Sequence, residues 1–154
     1  MAQVIDMESV FLDANIFFAA VRSPSGGSYF VIELAKRKRL QVVTVAHVLA
    51  EAERNIEKKI GNDALMRHYD NLRAIQPVVQ SLANIPLVLE YRLRTCVPEK
   101  DIPIVLGAIL SSTPILLTLD QKHLLRNIKL AALNLPVAIM TPGDFLQTHM
   151  SDFK

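Results

Sequence analysis

The sequence contains one cysteine, Cys96, and no tryptophan. A lone thiol excludes an intramolecular disulfide and any cysteine-based metal cluster, and it fits a reducing, cytoplasmic setting. No motif around Cys96 marks it as a catalytic nucleophile. No apolar run approaches the ~18 residues of a membrane span. Asp6 and Glu8 precede the first apolar run, which argues against a secretory signal. Charge is nearly balanced: 17 Lys and Arg against 15 Asp and Glu give a net +2, too little to announce nucleic-acid binding by itself. Aromatic residues make up only 6% and form no stripe on which bases could stack. Internal repeats and low-complexity stretches are also absent.

What is present is aliphatic. Hydrophobic residues reach 51%, chiefly Leu, Ile, Val and Ala, and mean hydropathy is +0.27. Disorder is excluded on that composition. The aliphatic bias suits an α/β core around a buried parallel sheet. A chain of 154 residues predicts one domain, 1–154. At that size roughly 70% of the unfolded surface can be buried, so neither a disulfide nor a metal is needed simply to fold.

Short continuous apolar runs bounded by turn signals predict buried strands over 9–12, 40–44, 114–118 and 136–140. Helical spacing predicts helices over 28–38, 45–59, 62–74, 101–110 and 121–126. Gly61 stops the second of these, and Pro103 sits in a first turn, where its missing N–H costs little. Residues 23–27 read as a loop. Thr141 and Pro142 read as the N-cap and first residue of a last helix. The segment 77–97 is ambiguous: Val78-Val79 suits a strand, and 87–93 suits either state. Strands alternating with helices predict a three-layer α/β/α fold with a central, mostly parallel sheet of four to five strands. Such folds place their sites at the carboxyl ends of strands.

Four acids fall near that edge. Asp13 directly follows the first strand, and Asp120 follows the third by two residues. Asp101 opens the helix leading into the third strand. Glu51 lies about two turns into the helix after the second, among the apolar Val48, Leu49 and Ala52; Glu53 replaces it if that helix is turned otherwise. Each acid also has an ordinary explanation: a helix cap for Asp101 or Asp120, an Asx-turn for Asp13, a solvated face for Glu51. Clustered carboxylates repel and raise one another's pKa. A divalent cation removes that cost, and oxygen ligands suit Mg²⁺ or Mn²⁺. Composition and periodicity reach an acidic patch on an α/β edge and go no further.

The segments that carry these acids resemble the PIN-domain family. VFLDANIFF resembles its first motif, a buried strand ending in Asp with Asn two residues on. VVTVAHVLAEAERNI resembles the second, with Glu51 at the acidic place. EKDIPIVLGAILSSTPILLTLDQKHLL resembles the third and fourth, with the small Ala108 inside the helix and Thr118 and Asp120 as alcohol-x-Asp. MTPGDFLQ looks like the family's last strand and helix. The resemblance runs over about 9–149, departs most at 62–97, and has Leu119 where many members carry Gly or a polar residue. It implies an endoribonuclease with one or two Mg²⁺ or Mn²⁺ ions held by Asp13, Glu51, Asp101 and Asp120, with Asn15 and Thr118 orienting them. Glu99 is a further candidate toward a second ion.

The resemblance also implies a VapC-like toxin, a homodimer, and an antitoxin as partner. Lys122, His123 and Arg126, directly after Asp120, are candidates for RNA-phosphate contacts, and His123 for a general acid. Lys36 to Arg39 read more simply as a solvated helix end. The alternative function is a catalytically inactive RNA-binding or assembly module, which would be expected to have lost at least one of the four acids. A phosphoacceptor domain also gathers acids at strand ends, but it wants a later Lys that is not so placed here.

Overall fold

A computed structural model describes residues 7–149; Asp6, used above, lies outside them. β1 (Glu8–Leu12) ends in the apolar run Val10-Phe11-Leu12, all three fully buried. The apolar run does not end there. Residues 14–22, to which the sequence pattern assigns no element, form α1 (Ala14–Arg22), which buries Ile16, Phe17, Ala20 and Val21. The loop then leads to α2 (Gly27–Lys36), β2 (Leu40–Thr44) and α3 (Ala46–Lys59).

α3 stops where expected. Gly61 adopts φ +127°, a conformation open to glycine, and its N–H donates to Ile56 O at 3.0 Å. α4 (Asn62–Ile75) follows. The ambiguous segment resolves into both states: β3 (Val78–Val79) is a two-residue strand and α5 (Leu87–Arg94) a short helix. A 3₁₀ turn, Glu99–Asp101, leads into α6 (Ile102–Leu110), with Pro103 in its first turn. β4 (Ile115–Leu117) ends just before Thr118. A turn of π-helix, Gln121–Leu125, and the short α7 (Ile128–Ala131), also not expected from sequence, lead to β5 (Ala138–Met140). α8 (Pro142–His149) closes the described chain, and Thr141 caps it by accepting from the Asp144 N–H at 3.1 Å.

The five strands are parallel and run in the order β3-β2-β1-β4-β5. α1 to α4 pack together, with α8 against α2, while α6 lies on β2 and β4 with α5 beside it. That is the expected α/β/α layering. The chain winds outward from β1 through β2 to β3, then returns to β4 on the other flank of β1. β1 and β4 therefore flank the topological switch point, where a crevice opens beyond the carboxyl ends of the strands. None of the helices among the described residues is long and apolar enough to cross a membrane.

A titratable ring lies buried without a hydrogen-bond partner. His68 on α4 is 1% exposed, and neither ring nitrogen has a hydrogen bond. It stands edge-on to Phe17 at 5.7 Å between centroids. Burial holds its pKa below the ordinary 6.5, against an opposing pull from Glu53. The unfolded chain takes up this proton before the folded one, so stability falls as pH drops below 6.5. The slope reaches about 1.4 kcal/mol per pH unit at most. Urea unfolding at pH 7.5 and 5.5 should therefore differ more for the wild type than for His68→Leu. Equal differences would assign the acid sensitivity elsewhere.

Candidate metal centre

Asp13 is placed by β1 and by the switch point. In the parallel register Leu12 pairs with Leu117, so the residues that follow, Asp13 and Thr118, meet across the crevice. The Asp13 N–H donates to Leu117 O at 3.1 Å. Its side chain caps α1, with Oδ1 accepting from the Ala14 N–H at 2.6 Å. Oδ2 accepts from Thr118 Oγ1 at 2.8 Å and from Asn15 Nδ2 at 3.2 Å. Thr118 is the hub of this group. Its hydroxyl also accepts from Asn15 Nδ2 at 3.2 Å and from the Asp120 N–H at 3.1 Å. The Leu119 N–H donates to Asn15 Oδ1 at 3.0 Å, which fixes the direction of the Asn15 amide. Leu119 contributes through its backbone while its side chain is exposed.

Asp101 is 5% exposed, at the last position of the 3₁₀ turn before α6. It does not cap α6 with its side chain. Its Oδ2 is buried without a hydrogen-bond partner. His123 Nδ1 lies 3.6 Å from that oxygen, within ion-pair range but too far for a hydrogen bond. Asp120 does serve as a cap, its Oδ1 accepting from the His123 N–H at 3.0 Å. Its Oδ2 lies 3.2 Å from His123 Nδ1. Asp101, Asp120 and His123 each offer one ligand atom, and the three lie within 4.8 Å of one another.

Glu51 is half-buried on α3. Its charge acts on both Asp13 and Asp101. Glu53 instead accepts from the Tyr69 hydroxyl on α4 and faces away from the acids. Burial, more than any other cause, pushes the Asp13 carboxyl up to about 6; Thr118 and the Ala14 N–H oppose it, and the charges of Glu51 and Asp101 add to it. Burial likewise raises Asp101, helped by Asp120 and Glu51 and opposed by Lys100 and His123. The four acids expected from the sequence thus share one electrostatic neighbourhood, although Asp13 and Glu51 stand outside the tight triad.

Glu99 stays exposed on the 3₁₀ turn, as do Lys122 on the π turn and Arg126 just after it. Lys36 to Arg39 precede β2, at the opposite edge of the sheet from the acids, where Lys36 pairs with Glu33 at 3.1 Å. The sequence offers His123 only as a candidate phosphate contact or general acid. Its place three residues after a capping carboxylate was the available signal, since that spacing returns a side chain to the cap.

A buried carboxylate oxygen without a donor, beside acids whose charges add to the cost of its ionisation, fits a hard divalent cation. The donor set of carboxylates plus one imidazole can bind such an ion, orient a phosphate oxygen beside it and balance its charge.

A family model described as PIN domain matches residues 9–122. In three dimensions the chain is similar to a chain of VapBC2 from Rickettsia felis, solved bound to a DNA fragment from its promoter. The TM-score is 0.61 at 19% identity, covering 86% of this chain and 98% of that one; at that identity the likeness is one of fold. No curated protein matches the sequence.

Proposed function

This chain belongs to the PIN-domain family of nucleases, and from that premise we propose that it is a divalent-metal-dependent endoribonuclease that hydrolyses RNA phosphodiester bonds. The observation that carries the reading is the unpartnered, buried Oδ2 of Asp101, set among three other acids at the switch point. An uncompensated carboxylate oxygen in that position costs free energy that a structural role would not require. A bound cation compensates it.

Asp13, Glu51, Asp101 and Asp120 would hold Mg²⁺ or Mn²⁺. The ion would supply Lewis-acid polarisation of the scissile phosphate and lower the pKa of the attacking water. The chain's own residues do the rest. Thr118 and Asn15 hold the Asp13 carboxylate in one orientation through Oδ2. The Asp120 backbone is tied to the same hydroxyl, so both carboxylates move as one unit with the ends of β1 and β4. Lys122 and Arg126, exposed beside this edge, would neutralise phosphates that flank the scissile one. Recognition would then rest on backbone and shape rather than on base stacking.

The PIN-domain match and the fold likeness to VapBC2 support a VapC-like toxin with an antitoxin as partner, and we extend the proposal to a homodimer acting in the cytoplasm. Incubating the purified protein with structured and single-stranded RNA in Mg²⁺ or Mn²⁺ tests the activity. Cleavage is expected from the wild type and not from Asp101→Asn. Equal cleavage by both overturns the assignment. Co-expression with the product of a small adjacent gene should suppress the activity if the toxin reading holds.

A further inference from the structure

Of the three side chains whose ligand atoms converge, one is not a carboxylate. His123 stands on the π turn, and its position is built rather than incidental. The turn is closed by wide hydrogen bonds, Leu125 N–H to Asp120 O at 2.9 Å and Arg126 N–H to Gln121 O at 2.8 Å. Its start is pinned by the bond from the His123 N–H to Asp120 Oδ1. Its far side is pinned by Asn127, whose amide donates to His123 O at 2.8 Å and to Cys96 O at 2.7 Å. Such single π turns recur at functional sites because the extra residue re-aims a side chain. Here the ring is aimed inward: Nδ1 lies 3.2 Å from Asp120 Oδ2 and 3.6 Å from the unpartnered Asp101 Oδ2.

We propose that His123 is a direct nitrogen ligand of the divalent cation at this site and tilts its selectivity from Mg²⁺ toward Mn²⁺. The inference rests on the reading of the site as a metal centre and adds a donor to it. Octahedral ligands about 2.1 Å from an ion sit about 3.0 Å apart when adjacent and about 4.2 Å apart when opposite. Both Nδ1 separations fall within that span. Donor chemistry sets the direction. Mg²⁺ takes oxygen almost exclusively and imidazole favours the transition metals; Mn²⁺ shares the preference of Mg²⁺ for oxygen but stands first in the transition-metal series, so a nitrogen donor penalises it less. A site of carboxylates alone does not make that distinction strongly.

Titrating Mn²⁺ and Mg²⁺ separately into the metal-free wild type, His123→Asn and His123→Ala by calorimetry gives the affinity ratio. The ratio should fall about tenfold or more when the imidazole is removed, in line with the 10–100-fold effects of groups that tune metal ligands. Spin-echo spectroscopy of the Mn²⁺-loaded wild type reads the bond directly and needs no variant: a directly coordinated ¹⁴N should modulate the echo. If Mn²⁺ binds with an unchanged ratio in the variants and without a nitrogen signal, His123 is only a counter-ion of the metal-free acids, and the inference falls while the metal site stands. If neither cation binds the wild type, the metal reading falls and the inference with it.

Discussion

Replacing Asp13 by Asn should abolish RNA cleavage and, in the absence of metal, make the protein more stable. The two effects have one origin. Burial holds the Asp13 carboxyl at about 6, against 3.8 for the free group. Between those values the folded state binds a proton that the unfolded state has released, so stability falls as pH rises through that window. Above it the folded protein carries an ionised group it would otherwise shed, at a cost of about 3 kcal/mol for a shift of about two units. Asn removes the charge. It also loses one bond: with its oxygen kept toward the two donors at Oδ2, Thr118 and Asn15, its amide nitrogen faces the Ala14 N–H and cannot accept from it. That loss is about 1 kcal/mol. Asp13→Asn should therefore gain about 1–2 kcal/mol at pH 7.5 in chelator, and the gain should shrink toward pH 4.5. Activity should drop by at least about a hundredfold, since even groups one shell out from a metal cost 10–100-fold. With millimolar Mn²⁺ the order of stabilities should reverse, because the ion stabilises only the protein that binds it. A variant no more stable than the wild type in chelator would show that Asp13 is a structural cap.

The acids could be nominated from the sequence because strand ends and helix starts were legible. A strand that stops at a carboxylate marks its own edge, and Asp13 and Asp120 follow from that rule; Asp101 follows from opening the helix that leads into β4. Glu51 could not be separated from Glu53 by periodicity, because both flank the buried Ala52. Tertiary packing separated them: α4 draws Glu53 to Tyr69 and leaves Glu51 toward the crevice. Capping also sorted itself in three dimensions. Asp13 and Asp120 both cap a turn and face the site, whereas Asp101 forgoes its cap bond. The sequence offers His123 for phosphate contact or as a general acid; how its ring turns toward Asp101 was not legible, because π winding has no sequence signature as clear as the helical period.

The fold was legible where periods were long and bounded. It was not legible at α1, whose apolar residues continue those of β1 after a single acid; only the capping geometry of Asp13 divides strand from helix. β3 is two residues long, too short for any alternation to register. α7 is a single turn whose start is set by Asn127 accepting from the Leu130 N–H.

Close packing beneath the site sets the last expectation. Gly107 lies in the middle of α6, where helix propensity alone favours Ala by about 1 kcal/mol. A Cβ there would stand 2.6 Å from Val45 Cγ1 and 2.8 Å from Phe11 Cε2. Neither neighbour has room to give: Phe11 is 0% and Val45 1% exposed. The resemblance drew attention to the small Ala108, but Gly107 is where the helix meets β1 and the start of α3. Overpacking of this kind costs about 1–3 kcal/mol and sometimes more. With both neighbours fully buried the cost falls in the upper part of that range, so Gly107→Ala should lose about 1–2 kcal/mol net of the propensity gain, and Gly107→Val, with two more methyls to place, should lose about 3 kcal/mol or more. The damage should reach the site as well, because Phe11 precedes Asp13 by two residues and Val45 opens the helix that carries Glu51. Trimming the ring should restore stability non-additively: Gly107→Ala with Phe11→Leu should be more stable than the sum of the single changes. Urea midpoints of the four proteins decide it. A Gly107→Ala variant at or above wild-type stability would mean that helix propensity wins and that the contact between α6 and β1 yields freely.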